Sequence, residues 1–434
     1  GIDIEKTSVH FVSGHASPDM LTMLSNYVEK HNLDKNKIKG SNDFDPLRFL
    51  TLNGQFYYDS EARAFERAKK VIEFGKTHLP NFRVLSVNAQ YFHNSGSSLV
   101  QELAFGLTMG NEYLARLTEA GLSVDDIAQG MQFIFAVGSN YFMEIAKLRA
   151  ARMLWANIVN AYKPESKEHA KINMHCVTSD WNKTIYDPYV NILRTTTEAM
   201  ASMIGGSDSL TVKPFDSTCK KSDAFSERVA RNIPIILKEE SYFDQPIDPA
   251  AGSYYIENLT NSIAEEAWKQ FQKVEGMGGY VAAFREDYIQ SEIETIALKR
   301  DMNIAVRKEN LIGTNQFPNS EEKIKPKIDD KVLNSINQPT AETDENMIAR
   351  PLKPYRGAEA FEEMRLKTEK SNKCPKVFLL TYGNAGMRRA RAMFSANFFA
   401  CAGFEIQDNP GFTSVETGIE AAKKSQADIV VICS

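Results

Sequence analysis

Short apolar runs alternate with stretches whose apolar positions recur at helical spacing, six times over residues 1–245. Strands are predicted at 8–14, 49–53, 83–89, 131–138, 172–179 and 209–215, and helices near 18–32, 60–78, 97–120, 139–161, 187–204 and 222–240. This alternation predicts a parallel sheet covered by helices, an α/β fold. Six β/α units are two short of a (β/α)8 TIM-type barrel, whose usual size is about 250 residues. N-terminal strands missing from this chain would account for the deficit; an open six-stranded doubly wound sheet is the competing reading. The most regular unit is 131–155. There a strand leads through Gly138-Ser139-Asn140 into a helix with Ile145, Leu148 and Trp155 on one stripe and Arg152 between them.

Past residue 245 the pattern changes. Asp248-Pro249-Ala250-Ala251-Gly252-Ser253 predicts a turn into a helical stretch reaching about Asn310. Residues 313–350 are rich in Lys, Asp, Glu, Asn and Pro and read as a linker, followed by a short charged helix at 359–370. Strands at 377–382, 404–407 and 428–432 then alternate with helices at 387–402 and 414–424, the first half of a flavodoxin-like fold. Met387, Ala390, Phe394, Phe398 and Cys401 are the expected buried stripe of its first helix. The expected division is 1–312, 313–372 and 373–434. A first residue other than methionine, and a last one directly after an apolar run, read as truncation at both ends.

Composition narrows the class. The 434 residues hold 51 basic and 56 acidic side chains, a net charge of −5, which argues against a general nucleic-acid binder. No apolar run reaches the roughly 18 residues of a membrane span, and no charged-then-apolar leader opens the chain. Five cysteines without C-x-x-C spacing read as reduced thiols of a cytoplasmic protein.

Candidate chemistry is sparse. All seven histidines lie at or before His175, and none has metal-ligand spacing. Gln90, Tyr91 and His93 follow one predicted strand, Asp180 and Trp181 another, and Lys213 and Asp216 the last, where barrel sites are built. His93 and Lys213 are a proton-transfer pair only if the fold brings them together. The loop from Tyr382 to Arg391 holds a G-x-x-G that could turn the chain or cradle phosphate. Arg388, Arg389 and Arg391 oppose the dipole of the helix they open, so they should face solvent, meet acidic partners or bind an anion.

Read as words, 142–155 (FMEIAKLRAARMLW) closely resembles the barrel helix of the adenosylcobalamin-dependent acyl-CoA mutases, the methylmalonyl-CoA mutase family above all. Residues 2–3 through 45–47, 84–96, 172–181, 247–257, 311–315 and the C-terminal strands and helices look similar to the same family. The resemblance implies a barrel that binds acyl-CoA, joined to a C-terminal cobalamin-binding domain. It implies a radical interconversion of methylmalonyl-CoA and succinyl-CoA. In two-chain bacterial members a catalytic large subunit pairs with a homologous small one.

The departures point to the small subunit. The family's Asp-x-His-x-x-Gly, whose histidine is the lower cobalt ligand, falls here on Gly386, Arg388 and Arg391. Arginine offers no lone pair to cobalt. The catalytic Tyr-His falls on Gln90 and Tyr91, and the Arg and Ser that hold acyl-CoA fall on Gly130 and Gln132. The Arg-Thr-His-Ser-Gln run reads Asn173-Met174-His175-Cys176-Val177, leaving His175 as the one matching substrate residue. The resemblance therefore implies a non-catalytic chain with no catalytic, cofactor or metal residue of its own. Adenosylcobalamin and acyl-CoA would then be bound by the partner large subunit of a heterodimer. Two rivals stand beside it: a mutase active alone through His93 or His175, and an unrelated barrel lyase with a nucleotide-binding domain.

Overall fold

Seven short parallel strands frame the first part of the chain: β1 Val9–Phe11, β2 Gly40–Asn42, β3 Phe82–Arg83, β4 Leu85–Val87, β5 Met131–Val137, β6 Met174–Thr178 and β7 Ser209–Thr211. The structure is a computed structural model describing residues 2–57, 60–324, 328–329, 347–371 and 373–434. Only Val84 separates β3 from β4, and its N–H donates to the Gly130 carbonyl at 2.8 Å. The two ladders β1-β2-β3 and β4-β5-β6-β7 thus adjoin through residues 82–87, and are taken together as one sheet.

That sheet is strongly curled. The His10 ring of β1 stacks on the His175 ring of β6 with centroids 5.5 Å apart. In a flat sheet the four intervening strand spacings, at about 4.8 Å each, would hold them about 19 Å apart. The curl disfavours a flat open sheet. It also gives the strands two unlike faces. Phe133, Phe135 and Val137 of β5 join the main apolar core, where Trp155 meets Phe133 edge-on at 4.6 Å. The alternate residue Gln132 turns inward to Ser86 at 3.3 Å, as the two-residue period of a strand requires.

Helices lie outside. Tyr141–Ala161 buries Ile145, Leu148 and Trp155 as the spacing predicts, while Arg152 reaches out to the Gly206 carbonyl. The segment expected as a strand at 49–53 is instead the end of the helix Pro46–Asn53, and the strand is β2, upstream. The reason is local: Asp45 caps the helix by accepting the Arg48 N–H at 3.0 Å, Pro46 opens it, and Gly54 at φ +71° closes it. The helical stretch expected to about Asn310 is three helices, Tyr254–Gly276, Tyr280–Arg285 and Tyr288–Ala305. Gly278 and Gly279, both at positive φ, make the first break. Much of the expected linker, residues 330–346, lies outside the described residues.

The last sheet is also parallel, in the order β10-β8-β9, from β8 Lys376–Thr381, β9 Glu405–Gln407 and β10 Ile429–Cys433. Its helices are Ala385–Ala400 and Val415–Ser425. The expected stripe on the first of these is corrected. Met387, Ala390, Phe394 and Phe398 are exposed, while Ala392 and Ala400 are buried and Phe399 packs on the core. Only Cys401 of the expected set is buried. A run dense in aromatics left more than one helical phase open, and strand packing chose the other.

Candidate functional site

The loops leaving the carboxyl ends of β1, β2, β4, β5 and β6 gather a set of buried polar side chains. After β2, Asp43 accepts the Ser13 and Gly14 N–H groups, each at 2.8 Å, and pairs with Arg48 at 3.0 Å. Asp45 accepts the Tyr113 hydroxyl at 2.6 Å and the Asn88 N–H at 2.8 Å. Burial pushes the Asp45 carboxyl up, against these donors.

The densest cluster lies behind the end of β5. The Lys147 ammonium sits 2.6 Å from each of Glu102 and Glu144 and donates to the Ala136 carbonyl at 2.6 Å. The carboxylates also cap the strand end: Glu102 accepts the Ala136 N–H at 2.7 Å and Glu144 the Gly138 N–H at 2.9 Å. Burial alone would lower the Lys147 pKa, but the flanking carboxylates outweigh it and hold it above its usual value. Burial likewise opposes ionisation of Glu102, and Lys147 with His93 pulls it below the usual carboxylate range. A second buried pair, Lys183 and Glu198 at 2.7 Å, differs: burial lowers Lys183 and raises Glu198, drawing both toward neutrality.

His93 joins the first cluster. Its Nε2 is 2.8 Å from the Ser179 hydroxyl and its Nδ1 is 3.6 Å from Glu102. Hydroxyl, imidazole and carboxylate stand in the order used by acyl-transfer enzymes. However, Ser179 is wholly buried, its Oγ accepts the Trp181 N–H at 3.1 Å, and Glu102 is neutralised by Lys147. That hydroxyl is closed to solvent. Spacing could not reveal the trio, because His93 and Ser179 are 86 positions apart. The i, i+3 pair Glu144 and Lys147 was the one legible signal. Beside the cluster an open cleft of about 810 Å³ is lined by His93, Ser97, Asn140, Glu144, Trp181 and Arg300, with the Arg300 guanidinium over the Trp181 ring.

The other residues singled out from the sequence scatter. Lys213 pairs with Asp180 at 2.5 Å, so it and His93 have separate partners and make no proton-transfer pair. The Gln90 amide reaches Asn88 at 3.4 Å, and the Tyr91 ring lies beneath the Arg48 guanidinium. Gly130 sits at the amino end of β5, where a Cβ would come within 2.7 Å of Ile72. Gln132 lies inside the curl. His175 uses both ring nitrogens, toward Ser209 at 2.7 Å and Thr211 at 3.0 Å. Burial, aided by the neighbouring His10, pushes its pKa down to about 4.

At the last sheet, Asn384 caps the helix Ala385–Ala400 by accepting the Gly386 and Met387 N–H groups at 2.9 and 3.2 Å. Arg388 donates to the Pro410 carbonyl at 3.1 Å and Arg391 to the Ser434 carbonyl. These two arginines thus bond main-chain carbonyls rather than acidic partners, and Arg389 is exposed. Among the described residues no group of three His, Cys, Asp or Glu could hold a metal ion, and no helix is long and apolar enough to cross a membrane.

Comparison with known proteins bears on the whole chain. The family model for methylmalonyl-CoA mutase matches residues 1–371. The chain is 48% identical over 438 residues to the methylmalonyl-CoA mutase small subunit of Porphyromonas gingivalis, covering 100% of this chain and 69% of that protein. It is 32% identical to the small subunit of Streptomyces virginiae, with 100% and 68% covered. To the methylmalonyl-CoA mutase of Rhizobium meliloti it is 36% identical, but over only 73% of this chain and 44% of that protein. On these matches, and with the motifs of 142–155 and 247–257 in place, the chain belongs to the methylmalonyl-CoA mutase family.

Proposed function

We propose that this chain is the non-catalytic small subunit of a two-chain, cytoplasmic methylmalonyl-CoA mutase. It supports a homologous large subunit, which binds adenosylcobalamin and acyl-CoA and carries out the radical isomerisation. The two small-subunit relatives match along the whole chain, which favours this assignment. In this reading residues 1–312 belong to a (β/α)8 barrel, 313–372 to a connection, and 373–434 to a degenerate cobalamin-type domain. The curl of the first sheet supports the barrel, and the order β10-β8-β9 is that of the first three strands of a flavodoxin-like sheet.

The observation that carries the proposal is what now occupies the degenerate positions. Gln90, Tyr91 and Gln132 are engaged with neighbouring side chains, and Gly130 is packed against Ile72. The residues present do not fit cobalamin ligated by a protein base. Arg388 has no lone pair to give, its guanidinium is committed to Pro410, and no histidine follows His175 in the chain. The contribution of this chain is then a packed, homologous surface for its partner.

The test is mutase turnover with adenosylcobalamin and methylmalonyl-CoA, measured for the full-length protein alone and mixed with its large subunit. Activity only in the mixture is expected. Turnover by this protein alone would overturn the proposal.

A further inference from the structure

In open parallel α/β sheets, ligands enter a crevice at the carboxyl ends of the strands. In the last sheet the loop after β8, which starts the helix Ala385–Ala400, stands at that end beside the loop 408–412 after β9. Arg388 reaches from the first to the second.

Three observations show how closely it fits. Its Nη2 donates to the Pro410 carbonyl at 3.1 Å. Gly411 lies against its guanidinium plane: a Cβ built there would stand 2.4 Å from Cζ, 2.6 Å from Nη1 and 2.7 Å from Nη2. Gly411 also has φ +104°, a conformation that L side chains rarely adopt. The loop is held from beneath as well. Asn409 is bonded to Thr381 and to the Leu379 carbonyl, and its Oδ1 accepts the Gly411 N–H at 3.1 Å. The arginine thus finds a preformed bed made of a carbonyl and a side-chain-free backbone.

We propose that Arg388 is a built-in latch. Its planar guanidinium lies on the 408–412 loop and holds it against the helix start, so these two carboxyl-end loops are locked together by the domain's own side chain. The inference goes beyond the absence of a cobalt ligand, because it assigns the arginine a positive role. It also stands apart from the subunit proposal, which turnover tests.

The experiment uses the full-length protein. Hydrogen exchange at residues 408–412 is compared in wild type, R388A and R388K, and thermal midpoints are measured for R388A, G411A and the double variant. Loop exchange should rise about tenfold in R388A and R388K, with the curled sheet unchanged, because lysine keeps the charge but not the planar fork. The Gly411→Ala shift in midpoint should be smaller in the Arg388→Ala background, since the clash partner is gone. Guanidinium chloride at millimolar concentration should restore loop protection to R388A, and sodium chloride at the same ionic strength should not. Unchanged exchange in R388A, full protection in R388K, or strictly additive midpoints would overturn the latch.

Discussion

The carboxyl ends of the two sheets solve one problem in opposite ways. Each is where a parallel fold leaves unpaired backbone groups, and each places cationic side chains beside them. Behind β5 the cation is Lys147, sealed from water and matched by two carboxylates, each of which also satisfies a strand-end N–H. At the last sheet the cation is Arg388, near solvent and matched by a single main-chain carbonyl. The difference teaches where charge is structurally expensive. A buried charge left alone costs several kcal/mol, whereas an exposed one is screened.

The sharpest way to break the contrast is to remove Lys147. Lys147→Met leaves Glu102 and Glu144 facing each other in a dry core, and a loss of about 3–5 kcal/mol in chemical denaturation is expected. Adding Glu102→Gln and Glu144→Gln should recover most of it, because the amide oxygens can still accept the Ala136 and Gly138 N–H groups. Failure of that recovery would show that shape, rather than charge, fixes the site.

Acid should act next most strongly, and inside the curl. The folded His175 pKa of about 4 lies below the 6.5 of an unfolded histidine, so the unfolded chain binds the proton first. Stability that is complete above pH 6.5 should therefore fall as pH drops toward 4, by up to about 3 kcal/mol. A His175→Asn variant should flatten that limb of the stability–pH curve. The smallest effect is expected at the last sheet. Asn409→Ala removes bonds to Thr381, Leu379 and Gly411 that involve only neutral groups, and should cost about 1–2 kcal/mol. A loss as large as that of Lys147→Met would erase the distinction between the two ends.

Much of the fold was legible where local and long-range signals agreed. The unit 131–155 reads as strand, turn and helix because its apolar run and its helical stripe pack against each other, as Trp155 on Phe133 shows. Residues 49–53 misled because apolar residues inside a short capped helix look like a strand when the Asp45-Pro46 signal is passed over. The site was harder. Sequence could single out positions such as Gln132 and Arg388, but not what meets them. Gln132 meeting Ser86, or Arg388 lying on Gly411, joins residues whose separation encodes nothing. The trio of His93, Ser179 and Glu102 was invisible for the same reason.

The stack of His10 on His175 also sets an order of events during synthesis. The two rings are 165 positions apart (175 − 10), and closing so long a loop is entropically costly before other contacts reward it. At typical elongation rates of about 5–20 residues per second, β1 waits roughly 8–33 s for its partner strand to be made. Throughout that interval the inward face of β1 and β2 has no opposite wall. A nascent-chain chaperone would find its longest opportunity there.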